Sequence, residues 1–573
     1  MESSSPAGST GATTAGTPST PGVSARSHDA NDAKSPTEPG VPHDATAELL
    51  ARAGVDGRRL RGALAALGDG RWWTLADLVR ETATSRRTVE ALLRTVEPEL
   101  ERSGDRFRLP APPAAAEVRS LTPADPVAHL LPGHADLVAR MDELIAKAPR
   151  GRHTLDHVAA TGETVVRRAL LMDARFWLDG ARLLCVGDHD LTSLATAMLH
   201  PGIEVTVVDV DERILAYIAG HADRLGLPVR TRWADLRLGL PGSARGWADL
   251  AITDPPYTPE GVALFVARGA EGLRDREQGR ILLAYGASER TPALALKVQQ
   301  ALSRLNLLSE AVYPDFNRYL GAEAIGSAAD LYVLRPTTKT WPAVAARVES
   351  PGTAIYTQGP QSVESAGSPG APGAAPGAPE DGFAPQVLVG EWPREVLPRV
   401  PRTRLATWLA KPHAGDPERV AVAVPAGLEA ALPRLLLATR AREVRATLAA
   451  PPERLPADLL SAVYELTTEG RTVRAVRSPV PATDAGRILR HILDNAHGKL
   501  ANTWREALTR AGSGLTKKQA RAAVAAAAPW AGDVTVLELP AHRLRELPAA
   551  VTRSLDATAR SADATDPAGP APA

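Results

Sequence analysis

Between residues 180 and 287, short apolar runs recur, and helical spacing fills several of the gaps between them. ARLLCVG, IEVTVVDV, LPVRTRWAD, ADLAITD and GRILLAYG predict five strands. LTSLATAML and DERILAYIAGHADRLG, lying between them, predict helices. Such alternation predicts a parallel, doubly wound α/β sheet, which gathers ligands at the carboxyl ends of its strands. This unit is expected to span 113–345.

Other patterns flank it. Over 45–112, ATAELLARAGV and GRRLRGALAAL have helical periodicity, and TLADLVRETATSRRTVEALLRTV predicts two helices around a turn, with Ser85 as N-cap of the second. ELERSGDRFRL then predicts two short strands about a Ser-Gly-Asp turn, completing a small winged-helix pattern. Arg86 and Arg87 would meet phosphates if that helix read DNA. Lacking a strongly basic face, the unit is read rather as a packing or dimerisation module. From 383 to 560, PQVLVG, RVAVAVP, EVRATLA, RTVRAVRS and DVTVLELP predict strands of a separate α/β domain with no catalytic constellation. Residues 1–44 and 561–573 are expected to be disordered tails. The Pro/Gly/Ala-rich stretch 346–382 is expected to be a flexible linker, because it offers too little apolar surface to offset ordering.

Bulk composition narrows the function classes only slightly. The 573 residues hold 66 basic and 66 acidic side chains, so net charge indicates neither a nucleic-acid nor a membrane partner. The single cysteine, Cys185, excludes an internal disulfide framework and a Cys-based zinc site. With no secretory signal and no apolar run of spanning length, a soluble cytoplasmic protein is expected.

The strand ends carry the chemistry. The first strand runs into Gly187-Asp188-His189-Asp190, where the glycine permits a sharp turn and close approach of a ligand. The second ends at Asp209, placed to accept from ribose hydroxyls. The third ends at Asp235, placed to meet an adenine amino group. The fourth ends in Asp254-Pro255-Pro256-Tyr257, and its two prolines cannot continue a central strand. One aspartate at a strand end is usually a turn former. Four in succession match the nucleoside-binding half of a Rossmann-like, class I S-adenosylmethionine-type transferase.

The acidity then selects among donors. Asp188 and Asp190 would repel a free carboxylate, whereas decarboxylated S-adenosylmethionine lacks one and carries extra positive charge. A polyamine acceptor is cationic as well. Transfer requires a neutral amine, and a carboxylate at the reacting nitrogen takes its proton or orients it. Asp188, Asp190 and Asp254 are the candidates. Tyr257 can face a developing cation with its ring. His189 is read as a base or as a hydrogen-bond partner of a neighbouring aspartate. No metal is expected, since no second histidine lies at ligand spacing nearby.

TGETVVRRALLM, LLCVGDHDLTSLA, VTVVDVDERIL, ITDPPYTPEGVALFVARG and YLGAEAIGSAADLYVL together resemble the branched-chain polyamine synthases, the N4-bis(aminopropyl)spermidine synthases, over roughly 45–340. The resemblance implies a winged-helix-like domain joined to a Rossmann-like catalytic domain. It also implies aminopropyl transfer from decarboxylated S-adenosylmethionine, a co-substrate rather than a bound cofactor, to the secondary amine of spermidine, with release of methylthioadenosine. Gly187, Asp188, His189 and Asp190 map to the family's acidic glycine loop, and Asp254, Pro255, Pro256 and Tyr257 to its proline loop. The family's loop reads Gly-Asp-Asp-Asp, so His189 here removes one negative charge. A homodimer is expected. Two other readings stand beside this one: an S-adenosylmethionine-dependent amino-methyltransferase acting on a nucleobase or amide, and a non-catalytic, DNA-binding sensor of polyamine or nucleoside.

Overall fold

The computed structural model describes residues 43–53, 57–110, 125–349, 352, 354–358, 362–363, 382–511 and 515–563. Most of the expected tails at 1–44 and 561–573, and most of 346–382, fall outside them. The first helix, however, begins at His43 and the last ends at Asp563, two residues inside the first expected tail and three inside the second.

Four helices open the described chain: α1 (His43–Ala53), α2 (Gly57–Leu67), α3 (Leu75–Thr82) and α4 (Arg86–Thr95). The hairpin of β1 (Glu101–Ser103) and β2 (Arg106–Arg108) follows, turning at Gly104 with φ +64°. Leu60, Leu64, Leu67, Leu78, Val89 and Leu92 fill the core between them. Thr74 caps α3 by accepting from the Asp77 amide at 3.1 Å. Ser85 holds the N-cap position of α4 but makes no capping bond, because its hydroxyl turns to Glu289 at 2.6 Å.

The central unit contains α5 (Ala135–Lys147), α6 (Gly162–Arg175), β3 (Arg182–Val186), α7 (Thr192–Leu199), β4 (Glu204–Asp209), α8 (Glu212–Leu225), β5 (Val229–Trp233) and β6 (Leu250–Thr253). It continues through α9 (Pro259–Gly272), β7 (Arg280–Tyr285), α10 (Pro292–Arg304), β8 (Leu308–Arg318), β9 (Ala328–Arg335) and α11 (Thr340–Glu349). The five expected strands are β3 to β7, joined in parallel, and β8 and β9 extend the sheet antiparallel in the order β5-β4-β3-β6-β7-β9-β8. The mixed α/β sheet is therefore Rossmann-like. β8 is an edge strand in which Ser309, Glu310, Pro314 and Asp315 interrupt the apolar positions, so its sequence lacks the continuous apolar run that marks most of the others. Chain order reverses on either side of β3, and the crevice opens at the carboxyl ends of β3, β4 and β6.

The C-terminal region holds β10 (Val387–Val389), β11 (Arg402–Thr403), β12 (Arg419–Ala423), β13 (Glu443–Thr447), β14 (Tyr464–Glu469) and β15 (Thr472–Arg477) in a second, six-stranded sheet. Its helices are α12 (Leu405–Ala410), α13 (Leu432–Leu437), α14 (Ala457–Leu460), α15 (Asp484–Asp494), α16 (Leu500–Ala511), α17 (Lys517–Ala527) and α18 (Ala541–Asp563). DVTVLELP, expected as a strand, instead forms a 3-10 turn at Val536–Glu538, because Thr535 and Glu538 close a capping box on one another. YELTTE, not expected, is β14, an edge strand whose outer face is polar.

This region shares one continuous apolar core with the central unit. Arg434 sits 4.2 Å from the Trp233 ring centroid, bonds Glu212 at 2.5 Å and donates to the Leu539 carbonyl at 2.7 Å. The expectation of a flexible segment after 346 does not extend to Ile355 and Tyr356. Both are buried against Leu264, since they form an adjacent pair of large apolar side chains in a stretch otherwise poor in them.

Candidate active site

The glycine loop leaves β3 with Gly187 at φ +73°, where a Cβ would lie 3.4 Å from the Phe265 ring. The turn ties the first two strand ends together. Asp209 accepts from the Asp188 amide at 3.1 Å through one oxygen and from the Asp211 amide at 2.8 Å through the other. The Asp188 carboxylate accepts from the Ser193 amide at 3.2 Å, in the first turn of α7.

Asp190 and Asp254 meet on a residue that strand-end reasoning did not single out. Arg168, fully buried on α6, donates Nη1 to Asp190 at 2.7 Å and Nη2 to Asp254 at 2.6 Å. Its Nε donates to Asn317 Oδ1 at 2.8 Å. Asp254 also accepts the Tyr319 hydroxyl at 2.7 Å and the Tyr257 hydroxyl at 3.0 Å, and the two phenol oxygens lie 2.9 Å apart. Burial and the neighbouring Asp254 charge keep both phenols protonated far above the usual tyrosine range, so they serve as donors. The missed signal for Arg168 was an arginine on the face of α6 that buries Val165 and Met172. Tyr319 opens the YLGAEAIGSAADLYVL motif, but nothing in that motif gives the tyrosine a role at the site.

Burial pushes Asp188 up to about 8, with the Ser193 bond pulling weakly the other way. Burial and the Asp190 charge raise Asp254, whereas at Asp190 the Arg168 guanidinium overcomes burial and holds the carboxyl below its ordinary range. His189 makes no hydrogen bond to an aspartate. Its ring stacks on His157, centroids 4.6 Å apart and planes 16° from parallel, with both Nδ1 atoms buried and unpartnered. Burial lowers both imidazoles, His157 to about 4, so this pair is neutral at pH 7.

Asp235 is gripped by its near neighbour Arg237, which donates Nε at 2.8 Å and Nη2 at 2.6 Å, so both carboxylate oxygens already have partners. Pro255 and Pro256 carry the chain to Thr258, which caps α9 and also donates to the Ile355 carbonyl at 2.7 Å. Thr357 then bonds Asp156 through its amide at 2.7 Å and its hydroxyl at 2.6 Å. All nine residues named from the sequence, Gly187, Asp188, His189, Asp190, Asp209, Asp235, Asp254, Pro255 and Tyr257, line one cavity of about 390 Å³. Tyr356 forms part of its wall. Six aspartates line that cavity (156, 188, 190, 209, 235 and 254) against one arginine, Arg168. Among the described residues, no cluster of three or more His, Cys, Asp or Glu side chains could hold a metal, and no helix is long and apolar enough to cross a membrane.

One consequence is measurable without any substrate. A carboxyl whose folded pKa lies above its unfolded value favours the folded state most below the unfolded value, and loses that contribution as pH rises to the folded one. For Asp188 the window runs from the ordinary aspartate range to about 8. Asp188→Asn, which keeps an acceptor for Ser193, is therefore expected to gain thermal stability over wild type progressively between pH 5 and pH 8.5. A difference in Tm that stays flat across that range would show that Asp188 is not held neutral by burial.

Residues 136–355 match the family model described as the branched-chain polyamine synthase A C-terminal domain. An uncharacterized protein of Methanocaldococcus jannaschii is 38% identical over 192 residues, covering 34% of this chain and 48% of that protein. The N(4)-bis(aminopropyl)spermidine synthase of the same organism is 29% identical over 194 residues, covering 33% of this chain and 55% of that one. The chain thus spans about half the length of these relatives. A solved structure of the Thermus thermophilus branched-chain polyamine synthase, in complex with N4-aminopropylspermidine and 5'-methylthioadenosine, is 22% identical with a TM-score of 0.38, covering 51% of this chain and 92% of that one. Over residues 136–355, this chain is therefore similar to the branched-chain polyamine synthases.

Proposed function

We propose that the cavity transfers the aminopropyl group of decarboxylated S-adenosylmethionine to a polyamine amine, the secondary amine of spermidine being the acceptor. The observation that carries this reading is the charge of the cavity, six carboxylates against one guanidinium. With Arg168 shared by Asp190 and Asp254, and Arg237 closed on Asp235, the carboxyls of Asp188 and Asp209 remain without a cationic partner and are raised by burial. A sulfonium donor and an ammonium-bearing acceptor supply the missing positive charge and return those carboxyls to their ionised form.

In this reading Asp209 takes the ribose hydroxyls and the Arg237-held Asp235 faces the adenine amino group. The acceptor nitrogen attacks the aminopropyl carbon bonded to sulfur, the C–S bond breaks, and neutral methylthioadenosine leaves. The proton on nitrogen passes to Asp254, whose raised pKa suits it to accept near neutrality. The ring of Tyr257 faces the developing cation. The neutral His189–His157 pair occupies the position where the family carries its middle acid, so it adds no negative charge there. The four helices and hairpin at 43–110 support the reading of that unit as winged-helix-like.

Purified protein incubated with spermidine and either decarboxylated or ordinary S-adenosylmethionine, followed by mass spectrometry, tests the reading. Methylthioadenosine and an acceptor heavier by aminopropyl units are expected with the decarboxylated donor only. S-adenosylhomocysteine with a methylated acceptor would establish the amino-methyltransferase instead. Turnover of neither donor, together with retention of duplex DNA, would establish the sensor.

A further inference from the structure

The helical unit at 43–110 lies outside the residues that match the family's C-terminal domain model, yet it grips the loop that completes the cavity. The turn between α3 and α4 packs against that loop at Gly326, which has φ +80°; a Cβ there would stand 2.7 Å from the carbonyl carbon and oxygen of Ala83. Arg80 Nε donates to the Tyr319 carbonyl at 3.2 Å. Arg59 spans the same joint, donating to the Ala83 carbonyl at 2.5 Å and to Asp315 at 2.9 Å. The Ser85 and Thr88 hydroxyls both donate to Glu289 Oε1, at 2.6 and 2.7 Å. The loop held in this way presents Tyr319, Ala322, Ala324 and Ile325 to the cavity, and the Tyr319 hydroxyl holds Asp254.

We infer that the 43–110 unit is a structural part of the catalytic site, clamping the 319–327 loop so that Tyr319 is presented to Asp254, with Arg80 as the positioning residue. Its effect on turnover rests on the functional reading above; the clamp itself does not. The start of α4, which a DNA-reading helix needs free, is occupied by Glu289, and Arg86 is paired with Glu90 at 2.8 Å. Burial would raise the Glu289 carboxyl, but the two hydroxyl donors outweigh it and hold the group below its ordinary range, as a standing contact requires.

The test uses the full chain and two variants, Arg80→Ala and the double change Ser85→Ala with Thr88→Val. The loop amides make useful reporters because they are bonded: Tyr319 to the Ser327 carbonyl at 3.0 Å, Leu320 to Ala159 at 2.8 Å, and Ile325 and Ser327 to Ala322 at 3.0 and 3.1 Å. Hydrogen exchange at these amides is expected to quicken by about tenfold or more in both variants, with β3 to β7 unchanged. In turnover, kcat/KM for the acceptor is expected to fall about tenfold while donor KM stays within about twofold, and Arg80→Lys, which keeps a donor, restores most of the loss. Loop exchange that does not change, or that rises equally throughout the central sheet, overturns the clamp. Should wild type transfer no aminopropyl group, the functional reading fails, while loop exchange still decides whether the clamp exists.

Discussion

Asp254→Asn is expected to lower aminopropyl transfer by about 10³-fold while changing methylthioadenosine affinity by less than about threefold. The substitution is nearly isosteric. Its amide oxygen can accept from Arg168 and Tyr319 where Asp254 Oδ2 does now, at 2.6 and 2.7 Å, while the amide nitrogen donates to the Tyr257 hydroxyl. The site therefore keeps its shape and loses only the group that receives the proton. Nucleoside binding is assigned to Asp209 and Asp235, on other strand ends. Turnover at saturating donor, paired with calorimetric titration of methylthioadenosine, separates the two effects. Near wild-type turnover would remove Asp254 from the reaction.

Arg168→Gln is expected to cost about 3–5 kcal/mol of folding stability, since it strips a buried guanidinium from the buried Asp190 and the partly buried Asp254. The pH dependence gives this prediction its sign. In wild type, Asp190 has a depressed pKa, so its contribution is present above the ordinary aspartate range and is lost as pH falls. In the variant, burial of Asp190 is no longer opposed by the guanidinium, leaving the Ala160 amide as its charge-stabilising donor, so its pKa rises and acid relieves the unpaired charge. The gap in Tm between wild type and variant should therefore narrow from pH 8 towards pH 5. Adding Asp190→Asn to Arg168→Gln should recover part of the loss at pH 8. A gap independent of pH, with no recovery in the double variant, would mean that Arg168 acts through packing rather than charge.

Much of the central sheet was legible as period and punctuation. The runs that became β3, β4, β6 and β7 are almost wholly buried and largely aliphatic, so they stand out from the helices between them, whereas β5 (VRTRW) was legible mainly from its place in the alternation. The edge strands β8 and β14 were not legible, because polar residues, and in β8 also Pro314, interrupt their apolar positions. DVTVLELP shows the converse: its alternation suits a strand, but a local capping box won.

At the site, the chain alone determined which acids stand at strand ends, since each follows its strand directly and the strands are parallel. That is why Gly187, Asp188, His189, Asp190, Asp209, Asp235, Asp254, Pro255 and Tyr257 all reach one cavity. Only the tertiary structure decided which of those acids are already paired. Arg168 bonds Asp254 from 86 positions away, Tyr319 bonds it from 65, and Ser85 reaches Glu289 from 204. Such pairings depend on how helices and loops dock on the sheet. Spacing along the chain carries no trace of them, because a buried guanidinium is selected by the charges around it in space.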